Sequence, residues 1–244
     1  MIWFLGLLCS QVSAGGLEGD SRALERVAAM LESLGGREAW ANAKSLYTME
    51  RARHPAYGDG IVTTFWRDLE NPGEHARISH EKLDVHYAWS EKGGWISNDG
   101  EVRDFNRKEM KERLYYWHRE IYTLYHQLTK GERNLTVRDA KPDGFYVLDE
   151  KNEKIGEFRV TADGDLYFWK QMGGDNPVAY VYGPHKDFGA VSFPDWGTAS
   201  DGGWGFYYVQ VRPSRKPFSA HVELKKPATS WTGGALHKDT NRHE

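Results

Sequence analysis

Ten histidines in 244 residues make metal ligation the first chemistry to weigh, because neutral imidazole is a common ligand of zinc, copper and iron. His75, His80 and His86 lie closest together. Their spacings argue against a shared ion. An odd spacing along a strand puts His75 and His80 on opposite faces, and a turn near Leu83-Asp84 separates His80 from His86. His118 and His126 are eight positions apart, roughly 80° around a helix and too divergent for easy joint ligation. The sequence contains no H-E-x-x-H, cysteine pair, G-x-S-x-G or phosphate-loop pattern. Asp and Glu total 35, but no spacing singles out a general acid and base. A hydrolase would need such groups clustered at a pocket. No metal and no cofactor is therefore expected, and the hydrolase reading stays open only on such a cluster.

What the chain holds in surplus is flat aromatic surface: aromatics make up 14% of it, with 10 tryptophans against 9 prolines. Side chains of this kind contribute large contact areas and stack on apolar partners. The residues expected to contact a ligand are Trp66, Trp89, Trp95 and Trp169 on strand segments, and Tyr115, His118, Tyr122 and Tyr125 on a helix. Two more tryptophans, Trp196 and Trp204, lie in the glycine-rich loop from Pro194 to Gly205. Either they touch a ligand, partner or membrane interface, or they fold back as plugs over the end of a barrel.

The helix that must position the tyrosines is marked at both ends. Asn106 followed by Glu109 forms a capping-box variant and Lys130-Gly131 supplies the stop, so the spacing predicts one helix over 107–130, about 36 Å long. Met110, Leu114, Trp117, Ile121, Leu124 and Leu128 make one apolar seam, and Tyr115, His118, Tyr122 and Tyr125 make a second stripe beside it. Together they cover roughly half the circumference, more than the about 100° that a helix lying on a flat sheet needs. Two readings account for the surplus: a helix in the concavity of a curved sheet or across the mouth of a cavity, or simply a broader contact within a packed core.

The remaining elements frame that helix. A first helix begins at Asp20 or Ser21, buries Leu24, Val27, Leu31 and Leu34, and stops at Gly35-Gly36. Short runs rich in Tyr, Val, Thr, Trp and Ile fill 44–98 and return after Gly131, ending with a run at His221–Leu224. Ile61 to Trp66 is apolar or β-branched at every position, so both faces of that strand should be covered. About a dozen such strands imply a mainly β (α+β) fold: one large curved antiparallel sheet forming a half-open β-barrel around the long helix. Lys+Arg 32 against Asp+Glu 35 gives a formal charge of -3 with both signs dispersed, which disfavours nucleic acid as a partner. Residues 2–8 are an unbroken apolar run followed by Val12-Ser13-Ala14, the small-residue pattern of a cleaved signal. The segments expected are a signal peptide at 1–14, a single domain at 15–226 and a loose tail at 227–244. The alternative for the apolar run is a buried first strand. A permanent span would need about 20 apolar residues. Cys9, the single cysteine, falls inside the signal, so no disulfide framework is expected.

Three stretches carry a resemblance to a known family. Met30-Leu31-Glu32-Ser33-Leu34-Gly35-Gly36-Arg37-Glu38-Ala39-Trp40 runs into Ala43-Lys44-Ser45-Leu46. Gly93-Gly94-Trp95 precedes Asn98-Asp99-Gly100, and Lys186 to Pro194 reads Lys-Asp-Phe-Gly-Ala-Val-Ser-Phe-Pro. In order and turn chemistry, over about residues 20–226, the chain resembles the bacterial outer-membrane lipoprotein-sorting (LolA/LolB-like) superfamily. That resemblance implies an incomplete antiparallel barrel wrapped around a helix-lined hydrophobic cavity. It also implies non-catalytic binding of a lipid, an acylated protein or another apolar ligand in the periplasm, in association with the outer membrane or an envelope protein. No equivalent of the carrier's lid-locking arginine or the acceptor's protruding apolar loop is found, and the strands hold more Trp, Tyr and His than an aliphatic acyl pocket requires.

The expectation is thus a monomeric periplasmic carrier or binding protein whose hydrophobic ligand lies between the curved sheet and the helix. The alternative is a secreted recognition module that uses exposed aromatics to bind carbohydrate or a partner protein.

Overall fold

The computed structural model describes residues 16–131, 134–175 and 177–227. The expected signal at 1–14, with Cys9, lies outside them, as does all of the expected tail beyond residue 227. Near the N-terminus come β1 (Glu18–Gly19), α1 (Ser21–Ser33) and α2 (Arg37–Ala41). A first meander follows: β2 (Ser45–His54), β3 (Gly58–Asp68), β4 (Gly73–His80), β5 (Leu83–Ser90), β6 (Gly93–Asn98) and β7 (Glu101–Asp104). After α3 (Arg107–Trp117) and α4 (Ile121–Lys130) a second meander runs through β8 (Thr136–Ala140), β9 (Gly144–Leu148), β10 (Lys154–Val160), β11 (Leu166–Gln171) and β12 (Ala179–Tyr182). The chain then forms β13 (His185–Asp187), β14 (Ser192–Pro194), β15 (Trp196–Ala199) and β16 (Gly205–Ser214).

Fourteen of these strands make one sheet in the order β1-β8-β9-β10-β11-β12-β15-β16-β2-β3-β4-β5-β6-β7, while β13 and β14 pair separately. The β15–β16 hairpin sits between the two meanders and joins them. All the pairings are antiparallel except that of β1 with β8. The sheet has two free edges, so the barrel is open, as expected.

The connection between the meanders carries the helices across the sheet. From β7 to β8 the sheet is twelve strand steps wide, about 58 Å along the sheet. The helices that cross this interval have 11 and 10 residues, which rise only about 32 Å in all. The sheet curves around these helices, which cross on its concave side. α4 is accordingly buried along nearly its whole length, from Ile121 to Thr129.

Both predicted ends of this helical region hold: the Asn106–Glu109 capping box is reciprocal, and Gly131 closes α4 in the left-handed conformation at φ 65°. Its predicted continuity does not, because the helix breaks at His118–Glu120. The Trp117 indole donates to the Asp68 carbonyl (3.0 Å), the Arg119 N–H turns back to the Tyr116 carbonyl, and Glu120 adopts an extended N-cap conformation. The break divides the expected tyrosine stripe into two segments with different surroundings.

At the other end of the chain, the strand expected at His221–Leu224 is absent. Instead a 3-10 turn at Phe218–Ala220 leads into an unpaired strap across the convex face, where the Trp66 ring stacks on His221 and Trp95 donates its indole N–H to the Leu224 carbonyl. The strap and the helices cover opposite faces of β3, as its uninterrupted β-branched and apolar run required. Near the N-terminus α1 caps and stops where predicted. Gly35 has φ 102°, and a Cβ there would lie 2.8 Å from Val191 Cα, so the double glycine lets the β13–β14 hairpin approach.

Candidate functional site

Strand parity decides which side chains face the helices. On β2 the even residues Leu46, Thr48, Glu50 and Ala52 point inward, and on β3 the odd residues Ile61, Thr63, Phe65 and Arg67 do so. The register sets Glu50 between Thr63 of β3 and Tyr208 of β16, and Arg67 beside Glu74 of β4. A four-residue charged cluster results at the centre of the concave face. Arg67 Nε lies 2.7 Å from Glu120 and 3.1 Å from Glu74, and Arg67 Nη1 donates to Thr48 Oγ1 at 2.9 Å. Thr63 and Thr48 donate to the Glu50 carboxylate at 3.1 and 3.3 Å. The guanidinium lies 4.2 Å from the centre of the Phe65 ring and 4.5 Å from that of Tyr122.

Beside this cluster is a hollow of about 320 Å³ between the concave sheet and the start of α4. Its walls are aromatic: Phe65, Tyr122, Trp169, Tyr180, Phe206 and Tyr208. Glu50, Arg67, Glu120 and Gln171 form the polar part of its lining. A second hollow of about 530 Å³, lined by Tyr87, Trp89, Arg113 and Tyr116, shares Phe65, Glu120 and Gln171 with the first. The two adjoin at these residues beneath the helices and are together termed the groove. Tyr122 and Tyr208 join their hydroxyls at 2.5 Å across the floor, which fixes α4 to β16.

The electrostatics follow from one cation facing three carboxylates away from bulk water. Burial pushes the Glu50 carboxyl up against the opposing pull of Arg67. Burial likewise pushes Glu120 up to about 7, although Arg67 favours its ionised form. Arg67 stays charged. The arrangement can bind an apolar body against the aromatic walls and a polar group against the acidic end.

The residues singled out from sequence divide between several places. Tyr122 and Trp169 line the first hollow and Trp89 the second. Tyr125 is fully buried among Trp40, Phe158 and Phe193, in the core rather than on the groove. Tyr115 and His118 line a separate surface hollow with Arg119, Asp149 and Glu153, beyond the helix break. Trp66 and Trp95 face the convex side under the strap. Of the loop tryptophans, Trp204 reaches the first hollow and Trp196 is 41% exposed on the outside. Sequence reasoning missed Glu50, Phe65, Arg67, Glu120, Gln171, Tyr180, Phe206 and Tyr208. Alternation on β2, where Arg51 and Arg53 stand outside, was the signal that places Glu50 inside.

The histidine spacings hid one pair. His75 and His86 are diagonal neighbours on the convex face of β4 and β5, with Nε2 atoms 2.7 Å apart, and one ring must donate to the other. Burial, with His75 and Arg77 nearby, holds His86 down to about 4. Among the described residues no group of three or more His, Cys, Asp or Glu side chains is placed to hold a metal ion. Among them, too, no helix is long and apolar enough to cross a membrane.

No family model and no curated protein matches the chain. Among solved structures it is similar to a DUF1329 family protein from Desulfovibrio piger ATCC 29098, with TM-score 0.44 and 6% identity over 78% of this chain and 92% of that one. It is also similar to an outer membrane lipoprotein-sorting protein domain from Vibrio parahaemolyticus, with TM-score 0.33 and 10% identity over 79% of this chain and 92% of that one. The second bears the name of the superfamily that the sequence resembles, and at these scores neither transfers a residue's role to this chain.

Proposed function

We propose that the chain is a non-catalytic carrier or binding protein that holds a lipid, an acylated protein or another ligand with an apolar body in the groove beneath α3 and α4. It works as a monomeric half-barrel unit of residues 15–226, exported to the periplasm. The observation that carries this reading is the aromatic-walled hollow left between the concave sheet and the start of α4. A helix pressed into an ordinary core would have filled that space. The export half of the reading rests on the apolar run at 2–8 and the small residues Val12, Ser13 and Ala14.

Native mass spectrometry of the full chain, purified from cells without detergent, tests the proposal. The expected result is an adduct that organic extraction removes and a fluorescent fatty-acid analogue replaces. A bare protein mass together with no saturable uptake of the analogue would refute it.

One observation favours the rival recognition module. Trp196 and Tyr207, 41% and 48% exposed, border an outer hollow of about 830 Å³ with Arg51, Arg53 and Asp59. Aromatic surface beside hydrogen-bonding side chains suits a sugar ring or a partner's loop. Loss of binding on Trp196→Ala, with uptake of the analogue undetectable in both forms, would select this reading.

A further inference from the structure

We infer that the ligand of the groove is a cationic amphiphile, with an amine or guanidine head beside its apolar body. This deepens the reading of the groove given above and rests on it. Three observations converge on the head group.

The first is the count and use of charge. Glu50, Glu74 and Glu120 surround one cation, Arg67, whose Nε lies within ion-pair distance of Glu120 and Glu74, whose Nη1 donates to Thr48 and whose guanidinium lies near the Phe65 and Tyr122 rings. The groove's second guanidinium, Arg113, lies against the Tyr87 and Phe105 rings in a lining that also holds Glu109 and Glu112, so carboxylates outnumber guanidiniums five to two along the groove and an anionic head would meet the surplus. A cationic head favours the ionised forms of Glu50 and Glu120, which burial disfavours.

The second is the aromatic wall. Tyr122, Trp169, Tyr180, Phe206 and Tyr208 ring the space next to the carboxylates, and the faces of such rings attract cations. The same rings accept an alkyl chain.

The third stands apart from the acidic cluster. Gln171 is only 5% exposed, lines both hollows where they join, and has no side-chain hydrogen-bond partner among the described residues. An amide that has no protein partner and opens onto a hollow is free to bond a ligand placed there. Its carbonyl oxygen can accept from an ammonium N–H held between it and Glu120.

The test compares dodecylammonium, dodecyl maltoside and dodecanoate on the full chain, each below its micelle threshold, by calorimetry. The expected order is dodecylammonium tightest, by about tenfold or more over the maltoside, with dodecanoate weakest. Glu120→Gln should cut the preference for the ammonium head to about threefold or less and strengthen dodecanoate, because Arg67 loses a partner. Should Glu120→Gln fail to fold, Gln171→Leu keeps the test open: it should weaken dodecylammonium several-fold and leave the maltoside unchanged. Equal or tighter binding of the neutral or anionic amphiphile would overturn the inference while sparing the groove as a binding site. No saturable binding of any of the three would overturn both.

Discussion

The two faces of the sheet use the same residue types to opposite ends. On the convex face Trp66 stacks on His221 at 4.0 Å, Trp95 donates to the Leu224 carbonyl and Ser45 donates to the Lys216 carbonyl, so a strap of the chain itself seals the aromatics. On the concave face Phe65, one residue from Trp66, borders a hollow that the crossing helices leave open. The covering element makes the difference. A strap follows the sheet closely, whereas α3 and α4 cross it as a chord and leave room beneath. The contrast teaches that strand parity, rather than aromatic character, decides which rings can meet a ligand.

The contrast can be broken hardest at Arg67. Arg67→Met should destabilise by about 3–5 kcal/mol, because it strands buried carboxylates that the guanidinium now offsets. Urea unfolding midpoints measure the loss, and a change below about 1 kcal/mol would mean that water already screens the cluster. Titration probes the same cluster. Glu120 is held up to about 7 in the fold against an ordinary 4.5, so the folded state retains a proton that the unfolded state releases. Its contribution therefore lowers stability as pH rises from about 4.5 to about 7. Glu120→Gln should flatten that part of the pH profile. An unchanged slope would show that the carboxyl titrates in the ordinary range.

The convex face should respond less. His221→Ala removes one stacked ring at the strap and should cost about 0.5–1.5 kcal/mol without altering ligand uptake. A fall in uptake to match the fall in stability would erase the distinction between the faces. The smallest effect is expected at Trp196, where Trp196→Ala should stay within about 0.5 kcal/mol of the parent, as differential scanning calorimetry would register.

Much of the fold was legible in the sequence because its signals are local. Asp20 and Gly35-Gly36 bound α1, Asn106 and Glu109 start α3, and alternation marks most strands. The helix break was not legible, since it depends on Asp68 receiving the Trp117 indole and on Arg67 drawing Glu120 out, contacts made by β3 far away in sequence. The groove was half legible for a related reason. In Ile61–Trp66 every position is apolar or β-branched, so the run gives no parity, and Trp66 stood out by size while the inward Phe65 and Arg67 did not. The pairing of Glu50 with Thr63 and Tyr208 exists only in the register. His221–Leu224 carries strand-like residues, yet those residues cross the convex face as a strap and pair with no strand.

The central claim is that an apolar ligand enters the concave groove, and photolabelling with residue-level mapping tests it most directly. A dodecyl chain bearing a diazirine, bound to the full chain and irradiated, should mark Phe65, Trp169, Tyr180 and Phe206 and spare their outward neighbours. Labels concentrated on Trp66, Trp196 and Tyr207, with the inward residues unmarked, would contradict it.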